Sequence, residues 1–506
     1  MGSLATSAAY DDLIRRSRER SVLGSCAALL GWDEQTYMPK LGSENRGNQL
    51  ALLAGLLHDR ATDPAIAGLL DDAEGSASPD EAGTPAAANV RELRRSYDRQ
   101  TKLPRSLVEE LARATSKAHH DWVEARKTKS FPTLRPALET VFALKRQEAA
   151  CLDPGGDPYD PLLDEYEPGA KSVDLANVFA ALRADLVPLV AAIGASGTRP
   201  DVTILRREFP VDRQRVFAEA AAAAFGFDFD RGRLDTTEHP FCTGIGPGDT
   251  RITTRFDPRN FSDAFFGVLH EVGHGLYDQG LDPAHHGTPM GEAVSLGVHE
   301  SQSRLWENLV GRSRPFWAYW FPLAKQVFRE ALGGVSPEAF YAAVNEVKPS
   351  LIRVQADEVT YNLHVMIRFE LERALLSGDL PVADLPAAWN AKYTSDLGVT
   401  PLDDSEGCMQ DIHWSAGLVG YFPTYTLGNI YSAQLFDKAS RDLGDLPSAL
   451  ARGDYAGLLA WLREHVHAHG QHYSATELMR RASGAAADHA PLVRTLRSKY
   501  GELYGL

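Results

Sequence analysis

The sequence predicts a mainly α, multi-helical single body with a small β-hairpin or sheet beside one unusual helix. Three observations predict it. Ala, Leu, Glu and Arg dominate, and segments such as DDLIRRSRERSVLGSCAALLGW (11–32), RQRVFAEAAAAAF (213–225) and PLVRTLRSKYGELYGL (491–506) repeat apolar residues at three- and four-residue spacing. No fixed-period repeat and no long flexible linker divides the chain, which favours one body over separate modules. One segment alone, EHPFCTGIGPGDTRITTRF (238–256), sets β-branched and aromatic residues on either side of Gly246-Pro247-Gly248-Asp249, a hairpin signature.

From the N-terminus, RRSRER (15–20) followed by SVLGSCAALLGW reads as an amphipathic helix, because no cleavage site follows and WDEQ comes at once. Breaks rich in Gly, Pro, Ser and Asp fall at 71–89, 153–170 and 194–201, the first being the best candidate for a mobile surface loop. No apolar run reaches the roughly 18–20 residues of a membrane span. With 52 Lys and Arg against 68 Asp and Glu, the charge of −16 is spread along the chain, which argues against nucleic acid and for solubility. Cys26, Cys151, Cys242 and Cys408 are far apart and form no C-x-x-C pair, as in a reducing, cytoplasmic setting.

The unusual helix is FFGVLHEVGHGLYDQG (265–280). Asn260 or Ser262 can cap it, and Phe265, Val268, Leu269, Val272 and Leu276 make its apolar face. Residues four apart share a helix face, so His270 and His274 can present both imidazoles to one zinc ion. Glu271 is then set to work on water beside the ion as general base, the logic of an H-E-x-x-H motif. Gly267, Gly273 and Gly275 each cost about 1 kcal/mol relative to alanine, so a close approach to the backbone is expected. A catalytic zinc needs a third protein ligand, and Tyr277 and Gly280 exclude the metzincin pattern. The segment GEAVSLGVHESQSRLWENLVG (291–311) offers Glu292, His299, Glu300 and Glu307, among which spacing alone does not choose. His285 and His286 lie in a Pro- and Gly-containing loop and read as exposed.

Several ordered motifs together carry a family resemblance over nearly the whole chain. They are GWDEQTYMP with RGNQLALLAGLLH, then HPF (239–241), DTRIT (249–253), HEVGH (270–274), HESQS (299–303), IRFELE (367–372) and GCMQDIHW (407–414). In these the sequence resembles the carboxypeptidase Taq family of metallocarboxypeptidases. The resemblance implies a helical fold with a deep substrate cleft, a homodimer, and release of single residues of broad specificity from peptide C-termini. It implies His270, His274 and Glu300 as ligands of Zn²⁺, with Co²⁺ or Mn²⁺ able to substitute, and Glu271 as the base. An N-terminal helical part, roughly 1–200, would lie over the cleft of a catalytic part, roughly 201–506. His299 and Arg304 depart from the thermolysin-like motif around its third ligand, so the group that orients a ligand histidine must lie elsewhere.

A free terminal carboxylate calls for a two-pronged donor, and Arg251 in DTRIT and Arg353 in LIRVQADE are the candidates. Arg368 reads instead as an internal ion pair with Glu370 or Glu372. His413, Tyr421 and Tyr425 in QDIHWSAGLVGYFPTYTLGN (410–429) can donate to a developing oxyanion, Tyr425 also standing against the substrate. A zinc endo-oligopeptidase and a non-enzymatic helical scaffold are the competing readings. The former would cleave amidated peptides internally.

Overall fold

The computed structural model describes residues 4–506, and helices dominate it from Ala8–Thr36 to Ala490–Tyr504. Most of the core is one cluster running from Ala125 to Tyr504, rich in interlocking rings such as Phe217, Phe261, Phe265, Trp317, Phe328 and Phe340. A separate small cluster of Leu4, Leu13, Leu70, Ala73, Ala86 and Val90 holds the first helices together. The helices Phe131–Leu152 and Ser172–Ala195 pack into the large cluster.

The hairpin forms where the sequence puts it, with a partner that the sequence did not reveal. Three strands, β1 (Gly232–Thr236), β2 (Cys242–Gly246) and β3 (Asp249–Thr254), lie in the order β1-β3-β2. β2 and β3 are antiparallel around Pro247-Gly248, where Gly248 takes φ +81°, and β1 runs parallel to β3 in the register Arg233 opposite Arg251. GRLDT is too short and too polar to alternate clearly, so β1 exists through its pairing rather than through its own pattern.

The Ala8–Thr36 helix is fastened across this sheet. Ser17 Oγ donates to the Gly287 carbonyl at 2.7 Å, Tyr37 Oη donates to Asp235 at 2.5 Å, and the Trp32 ring lies under the guanidinium of Arg251 at 4.1 Å. Two expectations change here. The 71–89 stretch is largely helical rather than one loop: helices Ala65–Ser76 and Pro85–Lys102 flank a short connection, and Glu81 accepts hydrogen bonds from the Leu4 and Ser78 amides. By length and composition one helix, Ser172–Ala195, could span a bilayer after all. It is amphipathic in place: Leu175, Phe179, Leu182, Leu186 and Ile193 enter the core, while Arg183 pairs with Glu370 and Asp396.

Arg368 is an internal ion-pair residue, but with Asp411 (Nε to Oδ2, 2.6 Å) rather than with its helix neighbours. Glu370 goes to Arg183 and Lys392 instead. Glu372 accepts from Tyr159 Oη at 2.6 Å, Trp414 Nε1 at 2.8 Å and the Gly420 amide at 3.3 Å, pinning both ends of the segment that carries His413 and Tyr421. Burial outweighs these three donors and pushes the Glu372 carboxyl from 4.5 up to about 7. The unfolded chain therefore loses this proton near pH 4.5 and the folded chain only near 7. The contribution of Glu372 to stability falls as pH rises through that window, by up to about 3 kcal/mol. Urea unfolding of wild type and Glu372→Gln at pH 4.5, 6 and 7.5 should show the variant gaining on the wild type across the window; a constant difference would contradict the assignment.

Candidate active site

Asn260 caps the Phe261–Gly280 helix, its Oδ1 accepting from the Asp263 amide, and the apolar face predicted for this helix is fully buried. The opposite face carries His270, His274 and Asp278 at successive four-residue steps. Across it lies the Leu296–Arg304 helix, capped by Ser295 Oγ on the Val298 amide. Gly273 permits the approach: a Cβ there would sit 2.5 Å from the Gln302 carbonyl oxygen and the Ser303 Cα. Gly428, on the Pro423–Leu443 helix, does the same for Glu300, whose Cγ a Cβ would meet at 2.4 Å.

These contacts bring together the three predicted ligands. The donor atoms of His270, His274 and Glu300 all lie within 4.8 Å of one another, with Glu300 Oε2 at 3.6 Å from His270 Nε2 and 3.4 Å from His274 Nε2. Burial alone would raise Glu300, but Arg304, His270 and His274 hold its carboxyl well below the usual range, so it is an anion. Burial lowers His274 to about 4, leaving it neutral with a free lone pair. Two neutral-capable imidazole nitrogens and one carboxylate form the His₂Glu donor set of open catalytic metal sites, so the residues present fit a divalent ion.

The outer rings of both histidines are tied down. His270 Nδ1 meets Glu307 Oε2 at 2.9 Å. Glu307 stands on a single π-helical stretch, Leu305–Val310, which follows the Leu296–Arg304 helix without a break. Although burial opposes it, the hydrogen bond from His270 and the charges of Arg304 and Arg312 bring Glu307 down to about 2. Arg304 braces the pair, with Nε at 2.6 Å from Glu300 and Nη1 at 3.3 Å from Glu307. On the other side His274 Nδ1 faces His299 Nδ1 at 2.5 Å, and His299 Nε2 faces Asp278 Oδ1 at 3.1 Å. If His274 keeps Nε2 free for metal, every proton in this chain is fixed: His274 Nδ1–H donates to His299, and His299 Nε2–H donates to Asp278. Glu307→Gln and Asp278→Asn should each weaken metal binding about 10–100-fold, measured by competition with a chelating dye. Unchanged affinity in both would show that these partners do not orient the ligands.

Glu271 is buried, accepts no hydrogen bond from any described residue, and is pushed up to about 7, chiefly by burial. Opposite the metal group, His413 Nε2 lies 3.3 Å from Tyr425 Oη, and the Tyr421 ring is 5.4 Å from that of His413 and 5.5 Å from that of Tyr425. Burial lowers His413 to about 4 and raises both phenols, so at neutral pH all three are uncharged donors. Arg353 is 5% exposed and joins this cluster: its Nε and Nη2 donate to Asp411 Oδ1 at 3.0 and 2.8 Å, and its Nη1 to Tyr361 Oη at 2.8 Å. Arg251 is gripped by both oxygens of Asp249 at 2.8 Å and makes no hydrogen bond or ion pair with the metal group or with Arg353. Arg251 thus keeps Nη1 free of any bond to a described residue, whereas all three nitrogens of Arg353 already donate, Nη1 to Tyr361 and the other two to Asp411. His285 and His286 stand apart, on a 3₁₀ turn at Pro283–His285 and just after it.

The family model for carboxypeptidase Taq (M32) metallopeptidases matches residues 12–500. The chain belongs to this family. It is a metal-dependent carboxypeptidase, a hydrolase acting on peptides. Thermostable carboxypeptidase 1 of Thermus thermophilus is 50% identical over 507 residues, covering 98% of this chain and 99% of that protein. Carboxypeptidase 1 of Bacillus subtilis is 37% identical over 495 residues, 98% of each. The crystal structure of the M32 carboxypeptidase from Deinococcus radiodurans R1 superposes with a TM-score of 0.95 at 44% identity, over 99% of this chain and all of that one.

Sequence reasoning missed or left unassigned the roles of Glu307, His299, Asp278, Arg304 and Asp411. Glu307 was on the candidate segment, but its turn toward His270 comes from the π-helical register, which a 3.6-residue pattern does not display.

Proposed function

We propose that this metallocarboxypeptidase holds Zn²⁺ on His270, His274 and Glu300 and releases single residues, with broad specificity, from the free C-terminus of peptides. The observation that carries this is the convergence of those three donors beside Glu271, whose carboxylate accepts no hydrogen bond from any described residue. A divalent ion supplies Lewis acidity there, acidifying water and polarising the scissile carbonyl. Glu271 takes a proton from the attacking water on a carboxylate oxygen and returns it to the leaving amine nitrogen as the C–O bond forms and the C–N bond breaks. Tyr421, Tyr425 and His413 donate to the oxygen that gains charge, a contribution of about 3 kcal/mol for one well-aimed donor. Arg353, oriented by Asp411, meets the terminal carboxylate through Nη1, which shares or gives up its bond to Tyr361 Oη when substrate binds. Arg251, fixed by Asp249, is the second candidate anchor.

Four free cysteines suit a cytoplasmic setting. The homodimer follows from the family resemblance, and Leu41, Leu52 and Leu56, exposed at 99%, 66% and 43%, offer apolar surface that such an association could cover. The reading is tested by stripping the metal and adding back Zn²⁺, Co²⁺ or Mn²⁺ at one equivalent, with a blocked dipeptide as substrate. Hydrolysis restored by each ion is the expected result. Stoichiometric binding of zinc without hydrolysis of this or any longer peptide would count against it.

A further inference from the structure

A cavity of about 890 Å³ lies beyond the metal group, between the Ala8–Thr36 helix, strand β2 and the loop after the metal helix. It adjoins the site along one helix face: His270 and His274 are followed one turn later by Asp278, which lines the cavity. The two sides of the metal group are unlike. Beside His270 stand Glu307, Arg304 and, stacked on it at 4.5 Å, Tyr361, which leads to Arg353. Beside His274 stand His299, Asp278 and the cavity. A peptide whose terminal carboxylate is at Arg353 and whose scissile bond is at the metal group therefore sends its upstream residues toward the cavity. β2 is an edge strand, and its far edge takes no backbone hydrogen bond from any described residue, so Gly244–Gly246 leave main-chain groups free along the cavity wall.

The charges in the wall do not balance. Among its carboxylates, Asp278 is bonded to His299, Asp282 to the Ala284 amide, and Glu92 to Arg91 and Arg95. Glu292 has no such partner, and desolvation, with the charge of Asp278, pushes it up to about 7. The side chains of Arg20 and Arg231 make no hydrogen bond or ion pair with any described residue, and Arg20 feels only the more distant Glu292. Two permanent cations thus face the cavity with no ion-pair partner within hydrogen-bond reach, Arg20 having only the more distant Glu292, while Asp278 and Asp282 keep their own charges in the same wall.

We propose that this cavity takes up the peptide upstream of the scissile bond and that Arg20, with Arg231, selects acidic side chains there. The proposal rests on the carboxypeptidase reading above. One helical turn separates His274 from Asp278, about 6 Å, which two residues of extended chain cover, so selection begins about three residues upstream of the bond.

The test uses three N-acetylated hexapeptides that differ only by Asp, Ser or Lys at the third and fourth residues upstream of the scissile bond. Release of the C-terminal residue is followed by mass spectrometry at low salt. The Ser peptide reads the carboxypeptidase reaction itself, and the Asp-to-Lys ratio of kcat/KM reads the cavity. The expected ratio is about ten, the size of one half-buried charge pair, and it inverts in Arg20→Glu. Arg231→Glu, on a different element, should lower the ratio in the same direction if Arg20→Glu does not fold. A wild-type ratio near one, or a ratio unmoved in both variants, would overturn the proposal. If none of the peptides were cleaved, the parent reading would fail instead, and binding of the same peptides to the metal-free protein would decide the Asp-to-Lys preference by the same criterion.

Discussion

Glu271→Gln should lower kcat by about 10²–10⁴-fold while metal content and KM stay near wild type. The substitution is isosteric. Because burial already pushes the carboxyl up to about 7, it adds no buried charge, and no hydrogen bond is lost because none is made. What disappears is the ability to accept a proton. Metal analysis alongside steady-state kinetics separates this from a damaged site: a fall in kcat that merely tracked lost metal, or one smaller than tenfold, would remove Glu271 from the role of base.

The second large effect is on stability. Among the described residues Asp411 is the only carboxylate partner of two buried guanidiniums, Arg353 and Arg368, which are 5% and 0% exposed. Burial would raise its carboxyl, yet the two arginines hold it far below the usual range. Asp411→Ala would leave both cations without their anion in a dry interior, at a cost of about 3–5 kcal/mol. Urea denaturation should show that loss, with a larger fraction of activity lost than the unfolded population explains, because Arg353 and the Tyr361–Tyr425 cluster lose their common anchor. Asp411→Asn, which keeps the shape, should lie between wild type and Asp411→Ala. A stability change below about 1 kcal/mol in Asp411→Ala would mean that the arginines find other partners.

The two histidine donors and Glu271 were legible because they are local, on one helix whose Gly273 and Gly275 have close neighbours; Gly267 meets nothing nearer than 3.5 Å, and Glu300 was chosen by the family resemblance alone. Gly273 is the clearest case, since its missing Cβ is the space that the Gln302–Ser303 backbone occupies. The hairpin was legible for the same reason, through Gly246-Pro247-Gly248 and its β-branched flanks. What the sequence concealed depends on distant partners. Asp411 lies 58 residues from Arg353 and 43 from Arg368. The buried acid at Glu372 is explained only by Tyr159, 213 residues away, and Trp414. β1 exists through pairing, and Glu307 reaches His270 through one widened turn. Arg251 and Arg353 were singled out by chemistry as candidate anchors, but that each is already gripped by an aspartate could be suggested only for Arg251, whose partner is two residues away.

Recognition of a free C-terminus at a metal site is read by a mass-spectrometric time course on one N-acetylated peptide, as free acid and as C-terminal amide, with and without 1,10-phenanthroline. Stepwise loss of single residues from the free acid alone, stopped by the chelator, is the expected result. Internal cleavage of both forms would contradict it and point to an endopeptidase.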